Sequence, residues 1–84
     1  LMDDRPRRLR IRCDRPRSLA AELVKQPHVS AVSLDGEVVE VDTTDVAGFA
    51  HSIAPLSQRV HARLREVRPL DEDLESVFRY LVAR

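Results

Sequence analysis

Aromatic side chains are nearly missing from this chain of 84 residues: Phe49, Phe78 and Tyr80 are all it has, and it has no tryptophan. A core built from it must therefore be mainly Leu, Val, Ile and Ala. Cysteine occurs once, as Cys13, which excludes an internal disulfide and any multi-cysteine metal cluster. With only Gly36 and Gly48, no Gly-x-x-x-x-Gly-Lys-Ser/Thr phosphate loop can be written. No apolar run approaches the roughly 20 residues of a membrane span, and no stretch of these 84 residues reads as a signal peptide. Net charge is also lacking, since 14 basic and 14 acidic residues cancel. That balance argues against a dedicated nucleic-acid binder.

The charges are nonetheless segregated. Residues 1–17 hold seven arginines against three aspartates, and residues 35–45 hold five acids without a base. The two stretches are placed to neutralise each other in a fold. A chain this short buries roughly 60–65% of its unfolded surface, so it supports a single modest core. The opening Leu1-Met2 reads as part of a longer protein, and residues 1–6, polar and ending in Pro6, read as a linker remnant.

From Arg7 the pattern alternates. Leu9, Ile11 and Cys13 point one way, and Arg8, Arg10 and Arg12 the other, which predicts a half-buried strand over 7–13. Pro16 suits a helix start, and Leu19, Ala20, Leu23 and Val24 supply a buried stripe for a helix over 16–26. Asp35-Gly36 between β-rich runs signals a hairpin over 29–42. Thr44 is placed to cap a helix over 45–57, with Val46, Phe49, Ala50 and Ile53 inward and Pro55 kinking or ending it. Val60, Ala62 and Leu64 then alternate with His61, Arg63 and Arg65, predicting a fourth strand over 60–67 that Pro69 stops.

Strand, helix, hairpin, helix, strand is the split βαβ, or ferredoxin-like, α+β arrangement. The expected strand order is 4-1-3-2, with both helices on one face. The other face would carry Arg8, Arg10 and Arg12 in the centre, Glu40 and Asp42 beside them, and Arg63 and Arg65 on strand 4.

The last fifteen residues predict one helix more, over 71–83. Asp71, Glu72, Asp73 and Glu75 crowd its start, where exposed backbone N–H groups favour negative charge. Leu74, Val77, Phe78 and Leu81 form one apolar stripe. So short a helix docks on something: either another protein surface or the rest of this chain. The candidate contact residues are Leu74, Val77, Phe78, Tyr80 and Leu81.

Leu74-Glu-x-Val-Phe-x-Tyr-Leu81, after a proline and acidic residues, resembles the terminus of many bacterial ABC-transporter ATP-binding subunits. A looser likeness extends upstream through Arg10-Ile11, Leu19, Leu23, Pro27-His28-Val29-x-x-Val32, Phe49, Pro55-Leu56 and Leu64-Arg65-Glu66-Val67-x-Pro69. The resemblance implies a C-terminal accessory domain following the nucleotide-binding domain, non-catalytic itself, with a structural or regulatory role. It implies ATP and Mg only in the parent ATPase and no cofactor in this domain. The implied partners are the parent nucleotide-binding domain, a second copy, and the transporter's membrane subunit. The implied location is cytoplasmic, peripheral to the inner membrane.

Other chemistry is thinly supplied. His28, His51 and His61 fall on a loop, a helix and a strand without a second ligand at metal spacing, so no metal site is expected. Cys13, on the inward side of its strand, reads as a small core side chain. The alternative to the accessory domain is a free-standing ferredoxin-like module recognising nucleic acid or a small-molecule effector. RNA platforms of this fold stack bases on aromatics of the central strands, and strands 1 and 3 have none. A ligand-sensing domain would want glycine in the loop after strand 1, where this chain has Asp14-Arg15-Pro16-Arg17.

Overall fold

The fold is known from a computed structural model that describes residues 6–70. Its elements run β1 (Arg7–Cys13), α1 (Pro16–Leu23), β2 (Val29–Asp35), β3 (Val38–Thr43), α2 (Val46–Arg59) and β4 (Leu64–Pro69). The strands form one antiparallel sheet in the order β2-β3-β1-β4. This is the expected 4-1-3-2 order counted from the opposite edge. The helix expected over 71–83 and nearly all of the linker lie outside the described residues.

The core follows from the alternation. Leu9, Ile11 and Cys13 of β1 and Val39, Val41 and Thr43 of β3 are fully buried. Against them pack Leu19, Ala20 and Leu23 of α1 and Phe49, Ile53 and Leu56 of α2. Val24, expected on that stripe, is instead 60% exposed. It follows the last residue of α1, where the helix overhangs the β2 edge.

Several element ends differ from the sequence reading, and local interactions account for the larger shifts. Helix α1 stops at Leu23, not 26. Pro27 disfavours helical backbone at the residue before it, and Lys25 and Gln26 tighten into i→i−3 bonds to the Glu22 and Leu23 carbonyls. In the hairpin, Asp35 pairs with Val38, so the two-residue loop is Gly36-Glu37. Gly36 alone has positive φ (62°) there, the sign pattern of a type II′ turn.

Helix α2 is capped by Asp45, not Thr44: its carboxylate accepts from the Gly48 N–H at 3.0 Å. The helix then passes through Pro55 to Arg59. An internal proline costs about 3 kcal/mol in an isolated helix. Here Leu56 and Ser57, just beyond it, are buried, and that packing holds the last turn in place.

The fourth strand begins at Leu64 because residues 60–63 close the helix instead. His61 N–H bonds to the Gln58 carbonyl at 3.1 Å and Ala62 N–H to the Ser57 carbonyl at 2.8 Å. With His61 at φ 60°, this is a Schellman motif carrying histidine where glycine is usual. Left-handed backbone costs a non-glycine residue about 1–2 kcal/mol. His61→Gly is therefore expected to raise stability by about 1 kcal/mol in chemical denaturation, a gain reduced by glycine's greater unfolded-state entropy.

Candidate functional site

The sheet face away from the helices is a row of cross-strand ion pairs. β1 and β3 place Arg8 opposite Asp42 and Arg10 opposite Glu40. The Arg8 guanidinium is held by two bonds, Nε to Asp42 Oδ1 at 2.9 Å and Nη2 to Oδ2 at 3.4 Å. That hydrogen bonding, followed by the Asp42 charge, raises the Arg8 pKa above its ordinary value. Arg10 Nη2 reaches Glu40 Oε2 at 3.1 Å. On the β4 side Glu66 stands between two arginines, 3.8 Å from Arg12 and 3.9 Å from Arg68.

Arg8, Arg10 and Arg12 thus lie where the alternation put them. Arg63 does not, and the register of β4 shifts at Arg65. Arg63 is in the loop before β4, where its backbone N–H donates to Asp14 Oδ1 at 2.7 Å. That bond is the first cause holding the Asp14 carboxyl below the usual carboxylate range. Arg65 falls at the irregularity where β4 carries an extra residue opposite Arg12 and Cys13. One inserted residue reverses the alternation beyond it, so Glu66 and Arg68 stand opposite Arg12 and Arg10 on the outer face. Nothing in the sequence announces that bulge.

Paired in this way, the face offers no stacking ring and few unneutralised cations among the described residues, unlike a nucleic-acid platform. Of the aromatic residues only Phe49 is among those described, and it is fully buried in the core. The contact candidates Leu74, Val77, Phe78, Tyr80 and Leu81 lie outside the described residues.

Two spots carry potentially reactive groups. Cys13 is buried, and burial is the leading cause pushing its thiol pKa up, which keeps it the poorly nucleophilic thiol. His28 Nε2 lies 3.4 Å from Ser52 Oγ. The Ser52 hydroxyl also donates to the Phe49 carbonyl at 3.2 Å, and which partner donates in the contact with the imidazole depends on the His28 tautomer. His28 Nδ1 is buried without a hydrogen-bond partner, and among the described residues no carboxylate is hydrogen-bonded to the ring. The pair clasps the α1–β2 loop to α2 and lacks the base-to-nucleophile geometry of acyl transfer. Among the described residues no group of three or more His, Cys, Asp or Glu side chains gathers to hold a metal ion. No described helix is long and apolar enough to cross a membrane.

The sheet's edges differ in character. β4 presents Arg65, Glu66, Arg68 and Pro69 along with its bulge. β2 presents Ser30, Ala31, Val32, Ser33 and Leu34, without a proline and with a single charge, Asp35, at its end. Beside it a shallow groove is lined by Arg17, Ala20, Ala21, Val24, Val32 and Leu34. The sequence put Val24 on the buried stripe and did not single out the β2 edge, because hydrophobic spacing marks what faces a core and not where the sheet ends.

Comparison with known protein families, with curated proteins and with solved structures finds no match. The fold and the site therefore define only a class: a small α+β domain with two helices on one face of a four-stranded antiparallel sheet and a largely neutralised charged face on the other.

Proposed function

We propose that this chain is the C-terminal accessory domain of an ABC-transporter ATP-binding subunit, acting as a non-catalytic contact element. One observation carries the reading: the run Leu74-Glu-x-Val-Phe-x-Tyr-Leu81, acidic at its start and apolar along one helical face. The βαββαβ order is compatible with it. The described helices already cover one sheet face and ion pairs occupy the other, so the apolar stripe expected over 71–83 has the sheet's edge or an external surface left to dock on, and the reading takes the external one. Its partner is the parent nucleotide-binding domain, with ATP and Mg bound there, in a subunit peripheral to the membrane. A domain that adds contact area only when two ATPase subunits approach shifts their open–closed balance by its differential contact energy.

Two measurements test this. The coding sequence preceding residue 1 should hold a phosphate loop and the remaining nucleotide-binding motifs within about 250 residues. Their absence overturns the reading and leaves the free-standing binding module. Phe78→Glu should abolish association with that ATP-binding domain, read by calorimetry, and leave the thermal midpoint of the accessory domain unchanged. Loss of folding instead would place the stripe inside its own domain and remove the contact.

A further inference from the structure

We propose that the β2 edge is a self-association surface, pairing antiparallel with β2 of a second copy about a two-fold axis at Ser33. This rests on the sheet's edges and is independent of the terminal motif. An edge strand leaves a row of backbone N–H and C=O groups unpaired, and folds that stay monomeric blunt it with charge, proline or a bulge. β4 carries all three along its pairing stretch. β2 has a bulge only at its start, between Val29 and Ala31, and then runs regularly from Ala31 to Asp35. Among the described residues no strand pairs with its outer side.

The apolar surface agrees. Val24 at 60%, Leu34 at 43% and Leu70 at 39% are the exposed large hydrophobic side chains of the described residues. The first two line the groove beside β2. Their exposure is explained if the sheet continues past this edge.

The occupant is a second copy because the strand complements itself. With the axis at Ser33, Val32 meets Leu34 of the other copy twice on the helix side, and the two Ser33 hydroxyls meet on the opposite side. Ala31 falls opposite Asp35, so no like charges are opposed. The same operation brings the two grooves side by side. An isologous pair of this kind closes at two subunits. Pairing β2 with β4 would propagate as an open fibre, and the guarded β4 edge opposes it.

Sedimentation of the full 84-residue chain across a concentration series tests the proposal, together with hydrogen exchange. The mass should rise from 9.6 kDa toward twice that value. Exchange should slow with concentration at residues 31–35, and β4 should not change. Ser33 is exposed on the sheet face away from the helices, with Glu40 opposite it on β3, so Ser33→Lys suits the fold, while Ser33→Glu lowers its stability slightly and needs its cooperative unfolding checked alongside. Ser33→Lys and Ser33→Glu should each weaken association about ten-fold by opposing like charges at the axis. An equimolar mixture of the two should restore it. Leu34→Lys should weaken it as well, with cooperative unfolding retained.

A chain that stays monomeric to about 1 mM overturns the proposal. So does failure of the Lys and Glu variants to rescue each other. Protection of β2 that is independent of concentration would mean that residues 71–84 cover the edge within one copy, and overturns it too. A dimer abolished by Phe78→Glu with β2 amides unprotected would overturn this inference and leave the terminal contact standing.

Discussion

Phe49→Ala is expected to leave the domain barely folded at room temperature. Phe49 is fully buried and tops the ranking by volume of the fully buried side chains. It sits on α2 facing a layer otherwise made of Leu9, Ile11, Leu19, Leu23, Val39 and Val41. No second described aromatic can close over the space it leaves. Phenylalanine to alanine at such a site costs about 3–5 kcal/mol, the transfer of the ring plus the cavity behind it. A chain of this length has a total stability of roughly 4–12 kcal/mol, so the loss takes a large share or all of it. In urea denaturation the midpoint should fall steeply with the slope nearly unchanged. Val24→Ala, at the exposed rim, should change stability by less than about 0.5 kcal/mol. Comparable effects at the two positions would mean that the core is centred elsewhere.

The same contrast shows what the sequence conveys. Period-two alternation over Arg7–Cys13 identifies a half-buried strand and assigns the arginines to one face, because a strand has only two faces. The ion pairs Arg8–Asp42 and Arg10–Glu40 follow once strands 1 and 3 are neighbours. Where backbone hydrogen bonding overrides hydrophobic spacing, the reading slips. Val60, Ala62 and Leu64 alternate as a strand would, yet the first two belong to the Schellman closure of α2. The usual marker of that closure is glycine, and histidine stands in its place. Pro55 misleads in the opposite sense, because burial of Leu56 sustains the helix beyond it. The bulge that sets Glu66 and Arg68 opposite Arg12 and Arg10 has no residue-level signature at all.

These slips bear on the candidate sites. Had Arg63 and Arg65 joined Arg8, Arg10 and Arg12, five cations would have faced two carboxylates, a surface suited to phosphates. With Glu66 and Arg68 in place, the cross-strand ion pairs of strands 1, 3 and 4 join four arginines to three carboxylates. That near-balance favours a solvated wall over a binding platform. Recognition is left to the apolar features at its margins, the β2 edge and the terminal stripe.

Thr43→Val should be the second most informative substitution, because it keeps the shape of a buried side chain and removes one hydroxyl. Thr43 is fully buried at the end of β3. Its Oγ1 donates to the His28 carbonyl at 2.8 Å and accepts from the Asp45 N–H at 3.1 Å. One atom thus joins the α1–β2 loop, the end of β3 and the cap of α2. Valine leaves the His28 carbonyl its bond from Thr44 N–H at 2.9 Å but takes the partner from Asp45 N–H. The expected cost is about 1–2 kcal/mol, the range for a lost bond that leaves a group unpaired. Asp45→Ala removes the cap to Gly48 at about 1 kcal/mol. Because the two substitutions loosen the same junction, the double variant should lose less than the sum, by about 0.5 kcal/mol or more. Faster hydrogen exchange in the first turn of α2 should accompany Thr43→Val, and Thr43→Ser should restore protection there. Strict additivity, or exchange unchanged in that turn, would show that the hydroxyl does not couple the loop to the helix.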